Sequence, residues 1–130
     1  MFKQAILVAI ALFIVTGNSF ANSNEKVALC SIFHANSVKA KLIQNNNNDK
    51  YKHCAVSCML ALRCGAIDSL NIGILKEVWD MFTPGDADIK DIKADMIGIE
   101  FYLNKMAVSD KECNQRCVEY DWKKFKLENL

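Results

Sequence analysis

Proline is almost missing from this chain. Pro84 is the only one, and it stands in the turn sequence Thr83-Pro84-Gly85-Asp86. Glycine is scarce as well, five in 130 residues, and none sits in the spacing of a phosphate-binding loop. Neither sign of charge dominates, with 16 basic against 15 acidic residues. A nucleic-acid partner would call for a strong basic excess, so that class is set aside. Alternation of apolar and polar residues never runs beyond a few positions, which argues against strands. No apolar run reaches the roughly 20 residues that a membrane-spanning helix needs. No nucleophile motif is present, and no repeat beyond one paired cysteine motif.

The longest apolar run, Ala5 to Val15, belongs to a secretory leader. Lys3 precedes it, Gly17 and Asn18 break it, and Ser19-Phe20-Ala21 places small residues where a signal peptidase reads. Met1 to Ala21 is therefore expected to be a signal peptide. Cleavage after Ala21 would leave 109 of the 130 residues as one domain, Asn22 to Leu130. Lys3 is the only charged residue of the leader, so the mature chain would hold 15 basic and 15 acidic residues. No membrane span would remain after cleavage.

All six cysteines lie in that mature part. An even number behind an export signal points to disulfides in an oxidising space. A zinc site of four cysteines is the rival, but it needs thiolates that exported chains rarely keep. Cys54-x-x-x-Cys58 and Cys113-x-x-x-Cys117 share one spacing. Four residues place both sulfurs on one helix face, a turn apart. Two such helices running antiparallel can join Cys54 to Cys117 and Cys58 to Cys113. Cys30 is then left for Cys64.

The rest reads as helix. Asn22 to Gln44 carries an imperfect stripe of Leu29, Phe33 and Ala40, with Val27 and Val38 alongside. The asparagine run Asn45 to Asn48 ends it, because these side chains compete for backbone hydrogen bonds. Tyr51 to Cys64 is apolar over most of its girth, so it is expected at the centre, with Gly65 closing it. Asp68 or Ser69 would cap a helix to Phe82 whose buried side is Ile74, Leu75, Val78, Met81 and Phe82. From Asp88 to Ala107, Ile89, Ile92, Met96, Ile99, Leu103 and Met106 form an apolar seam. Gly98 within it marks a close helix crossing. Ser109 and Glu112 make a capping box that opens the helix carrying Cys113 and Cys117.

Few residues suggest chemistry. His53, beside Cys54, could act as a general base oriented by Glu77 or Asp80. Without a nucleophile beside it, the plainer reading is a packed histidine. Lys76 and Asp80 lie one turn apart and are expected to pair. Asp86-Ala87-Asp88-Ile89-Lys90-Asp91 lacks the ligands of a calcium loop and reads as acids complementing a helix start. Hence no metal and no cofactor are expected. The tail Trp122 to Leu127 could touch a membrane surface or a partner protein, or simply end a helix with cations suited to its dipole.

One block carries a resemblance: His53-Cys54-x-x-Ser57-Cys58-x-Leu60-x-x-Arg63-Cys64-Gly65, then Lys76-Glu77-Val78-x-Asp80-x-Phe82, then Asp91-x-x-x-Asp95-x-x-Gly98. It resembles a group of small exported, cysteine-rich bacterial proteins, and similar blocks occur in terminal domains of some polymorphic toxins. The chain departs from that pattern at Asp95, where asparagine would be expected. The resemblance implies a bacterial exported protein, effector-like or host-facing, and supplies no reaction.

Together these readings predict an all-α bundle of four to five helices stapled by three disulfides, periplasmic or secreted. Its expected role is to bind another protein or an envelope component through a rigid helical surface. The alternative is a small toxin-like hydrolase using His53 with Glu77 or Asp80.

Overall fold

The computed structural model describes residues 30–127. The expected signal peptide, residues 22–29 of the expected first helix, and residues 128–130 lie outside them. Six helices follow one another: α1 (Cys30–Lys39), α2 (Asp49–Cys64), α3 (Ala66–Phe82), α4 (Ile89–Leu103), α5 (Asp110–Glu119) and α6 (Trp122–Leu127). No strand occurs among the described residues, and no helix there is long and apolar enough to cross a membrane. The fold is the expected all-α, disulfide-stapled bundle.

Helix α2 is the axis of the molecule, with α1, α3, α4 and α5 packed against it. Asn48 caps it, its side chain accepting from the Lys50 and Tyr51 N–H groups. Gly65 closes it at φ +88°, in the left-handed region, and its N–H donates to Ala61. Tyr51, Cys54, Ala55, Cys58, Met59 and Leu60 are fully buried along α2. Tyr51 donates its hydroxyl to Asn114 of α5 at 2.6 Å and accepts from the Ile43 N–H at 2.9 Å. A buried phenol is thereby satisfied on both sides.

All six cysteines are bridged in the expected pairing: Cys54–Cys117, Cys58–Cys113 and Cys30–Cys64. Their Cα separations, 5.6 to 5.8 Å, match what a disulfide spans without backbone movement. A cysteine zinc site is thus ruled out in this state. The first two bridges join α2 to an antiparallel α5, and Arg63 reinforces the pair with a two-pronged bond to Asp110 at 2.7 and 2.8 Å. With Lys41 adding a third contact, the Asp110 carboxyl is held at about 2, chiefly by the Arg63 hydrogen bonds. The Ser109–Glu112 capping box forms as expected at the start of α5.

Several expectations need correction. Helix α1 ends at Lys39 rather than Gln44, and Phe33 and Ala40 of the expected stripe are exposed while Ser31 and Val38 are buried. Asp68 does not cap α3. It lies in the first turn and accepts from the Ser31 N–H, tying down the start of α1, while Gly65 takes the cap position. Helix α4 stops at Leu103, because Lys105 enters the left-handed region at φ +56° and the N–H groups of Met106 and Ala107 both turn back to the Phe101 carbonyl.

The largest correction concerns which way α3 and α4 face. On α3, Ile74, Met81 and Phe82 are exposed, and the inward residues are Ser69, Gly73 and Glu77. On α4, Ile89, Met96 and Leu103 point outward, as does Met106 beyond its end. The inward residues are Asp91, Ala94, Asp95, Gly98 and Ile99. The physical reason is contact distance. A side chain at Gly98 would place its Cβ 2.0 Å from the Cys54 carbonyl oxygen, and one at Gly73 would place it 2.3 Å from Asp95 Oδ2. These glycines set the face of closest approach, and the acids one turn away follow them inside.

Candidate functional site

The rotation of α3 and α4 builds a polar core between them and α2. Its centre is His53, one turn after Asp49 on α2 and nearly buried. Nδ1 lies 3.2 Å from Asp95 Oδ1, and Nε2 lies 3.4 Å from Asp91 Oδ2. Asp95 and Asp91 are one turn apart on α4, so both carboxylates present to the two edges of one ring. Ser57, the next turn along α2, donates to Asp95 Oδ1 at 2.8 Å. Asp95 is only 2% exposed, and its second oxygen, Oδ2, has no hydrogen-bond partner among the described residues.

Lys50 covers one side of this cluster. Its ammonium bonds Asp88 Oδ2 at 2.6 Å and also bonds Asp91 Oδ1. Asp88 meanwhile caps α4, its Oδ1 accepting from the Lys90 N–H at 2.8 Å. Ser69 of α3 donates to the Ser57 carbonyl at 2.7 Å, locking α3 to α2.

The expected catalytic trio does not converge. Glu77 is 5% exposed, but it accepts from the Asp88 N–H at 2.9 Å and from Lys76. It fastens the loop before α4 rather than orienting His53. Asp80 accepts from Lys76 at 2.8 Å, which is the expected one-turn pair. Neither carboxylate bonds His53. The partners of His53 are instead Asp91 and Asp95. Spacing offered one signal for them: Asp91, Asp95 and Gly98 share a helix face, and the glycine marks it as inward.

Chemically, this arrangement is a poor nucleophilic centre. Asp95 stands between Ser57 and His53, so the imidazole does not touch the serine hydroxyl. Ser57 is itself buried. Each nitrogen of His53 faces a carboxylate, which leaves neither free to take a proton from a substrate. Burial works against charging the ring, but the hydrogen bond to Asp95 and the charges of Asp95 and Asp91 outweigh it, against a smaller opposing effect of Lys76. The pKa of His53 is thereby raised.

That shift predicts a pH dependence. A group with a raised folded pKa stabilises fully below its unfolded value, about 6.5 for histidine, and the stabilisation is lost as pH rises through the folded value. Guanidinium denaturation should therefore give falling stability as pH climbs from about 6.5, and the fall should flatten in His53→Gln. Equal slopes in both proteins would show that His53 is not charged in the fold.

Outside this core, Trp122 anchors the start of the tail, while Lys123 and Lys124 are exposed. Trp122 packs against the buried cluster and donates its indole N–H to the Cys117 carbonyl at 2.8 Å, with the Tyr120 ring tilted against it at a centroid distance of 4.6 Å. An open cavity of about 590 Å³ lies beside α5, bordered by Lys41, Ile43, Asn114 and Val118. Of the two carboxylates at its edge, Asp110 is already engaged by Arg63 and Lys41, and Glu119 accepts from Gln115. No protein-family model, curated protein or solved structure matches the chain.

Proposed function

We propose that this is an exported protein, periplasmic or released, that acts by binding a protein partner through the outer face of α3. One observation carries the reading: α3 is turned with Ser69, Gly73 and Glu77 inward and with Ile67, Ile74 and Met81 outward. Ile67 and Trp79 are 78% and 69% exposed, and Ile74, Met81 and Phe82 stand out with them. Single exposed apolar residues are ordinary. A row of them at every seventh residue, Ile67, Ile74 and Met81, on the side away from buried Ser69, Gly73 and Glu77, marks a contact surface.

A protein suits this face better than a lipid surface. Lys76 is the only cation on α3, and it is paired with Glu77 and Asp80. A membrane-binding helix would flank its apolar stripe with free lysines and arginines. The three disulfides fit an oxidising compartment. They also hold the surface rigid, which lowers the entropy lost on binding. The leader-like residues Met1 to Ala21, and the resemblance of the His53 to Gly98 block to exported bacterial proteins, support export.

A photo-reactive residue placed at Trp79 should cross-link to a discrete partner in the envelope or culture fraction of the producing cell. The same group at Lys123 should not. Ile74→Glu combined with Met81→Glu should abolish that adduct while leaving thermal unfolding unchanged. Identical adducts from both positions, or sedimentation with neutral lipid vesicles that Ile74→Glu abolishes, would overturn the reading.

A further inference from the structure

We propose that Asp49, His53 and Asp91 form a binding site for a divalent cation of the zinc class. One ligand atom from each lies within 4.8 Å of the others. In a tetrahedral zinc site, bonds of about 2.0 to 2.1 Å hold the ligand atoms roughly 3.3 to 3.5 Å apart. His53 Nε2 and Asp91 Oδ2 are already 3.4 Å apart, and Asp49, the exposed member, is the one with room to turn toward them. Asp49 and His53 sit one turn apart on α2, so they share a face, and Asp91 reaches it from the crossing helix α4. The approach is open on the Asp49 side, because Asp49 is exposed while the other two ligands are nearly buried.

A second observation concerns Asp95. Its buried side chain points at the His53 ring and holds Nδ1, which turns Nε2 toward Asp91. A carboxylate on the far nitrogen of a ligating histidine is what fixes the tautomer and direction of such ligands. The other oxygen of Asp95, Oδ2, lies toward Gly73 of α3 and is not a ligand of this site. Asp49, Asp91 and Asp95 stand around the ring, Asp88 beyond them shares Lys50 with Asp91, and Lys76, the other nearby cation, is paired with Glu77 and Asp80. The two carboxylates of the site, Asp49 and Asp91, match the charge of a divalent ion. Lys50, already bonded to Asp88, can yield its share of Asp91 without losing its other partner.

One nitrogen and two carboxylate oxygens suit zinc better than calcium, which takes oxygen ligands only. Three protein ligands leave a fourth position for water or for a donor from a bound partner. This site does not depend on the outer face of α3. No stretch of sequence announces it, because its residues come from two helices.

The test is zinc competition against a chromogenic chelator, using the untagged, fully oxidised protein. One equivalent should bind. Asp49→Asn and His53→Gln should each weaken binding at least tenfold, and His34→Gln, altering the only other histidine, should leave it unchanged. Asp49 is exposed, so its variant reports even if His53→Gln fails to fold. In nitrogen-detected NMR, zinc should move the His53 Nε2 resonance and not those of His34. Absence of saturable binding up to 100 equivalents, equal affinity in Asp49→Asn, or loss of binding in His34→Gln would each overturn the site.

Discussion

Replacing Gly98 with alanine should strongly destabilise the fold, although the same change in an isolated helix would strengthen it by about 1 kcal/mol. The added Cβ would lie 2.0 Å from the Cys54 carbonyl oxygen, 2.9 Å from its carbon and 3.1 Å from its Cα. All three atoms are backbone, so no rotamer change relieves the clash. Either α4 shifts away from α2 or α2 bends, and Cys54 is tied to Cys117 at that very turn. The shift would also pull Asp91 and Asp95 off His53, leaving buried charges poorly paired. Overpacking a core commonly costs about 1 to 3 kcal/mol, and a backbone obstacle places this case at or above the upper end. For a domain of this size a loss of about 3 kcal/mol corresponds to a fall of more than about 10 °C in Tm. Circular dichroism melting of wild type and Gly98→Ala decides it. An unchanged or raised Tm would mean that α2 and α4 do not cross as described. Gly73→Ala should do less harm, since its obstacle is the Asp95 side chain, which can move.

That glycine also explains how far the sequence could be read. Gly98 was legible as a crossing point, as were the helix at the centre of the fold and the pairing of every cysteine. These depend on local rules: four-residue spacing, a cap, a residue with no side chain. What sequence did not reveal was the direction in which α3 and α4 face. The apolar seams of Ile74, Met81 and Phe82, and of Ile89, Met96 and Leu103, are regular, and regular apolar spacing ordinarily means burial. Hydrophobic residues inside is a one-way rule, however, and surface carries much apolar area as well. Here the inward face is chosen by closeness of approach and by paired charges. Gly73 and Gly98 allow α2, α3 and α4 to touch, and Lys50, His53 and Ser57 meet acids that would otherwise be costly to bury. The same limit hid the His53 partners. Glu77 and Asp80 lie nearer to it in sequence, but Asp91 and Asp95 share the face that Gly98 turns inward. Had the glycine been used to set the face of α4, both acids would have been assigned to the core.

The two bridges between α2 and α5 should prove strongly non-additive. Taken alone, Cys54–Cys117 or Cys58–Cys113 closes a loop of 63 or 55 residues, which in the chain-entropy account stabilises by about 4 kcal/mol. Once either is in place, the other closes only the small ring running from 54 to 58 and from 113 to 117. For a ring of about ten residues that account gives about 2.7 kcal/mol. Cys54→Ala/Cys117→Ala should therefore lose about 2.7 kcal/mol, and so should Cys58→Ala/Cys113→Ala. The quadruple variant should lose about 7 kcal/mol, some 1.5 kcal/mol beyond the sum of the two pairs. Against a total stability of ordinary size, about 5 to 15 kcal/mol, that loss unfolds the protein or leaves it marginal, even with Cys30–Cys64 intact. Alanine is chosen so that no new hydroxyl is buried where these four sulfurs sit. Any cavity it leaves enters the paired variants as well as the quadruple one, so the excess over additivity reports loop closure. Guanidinium unfolding followed by circular dichroism measures all three. A quadruple loss equal to the sum of the pairs would show two independent loops. A quadruple variant that still unfolds cooperatively with less than about 4 kcal/mol lost would show that helix packing, not the sulfur rungs, holds α5 to the axis.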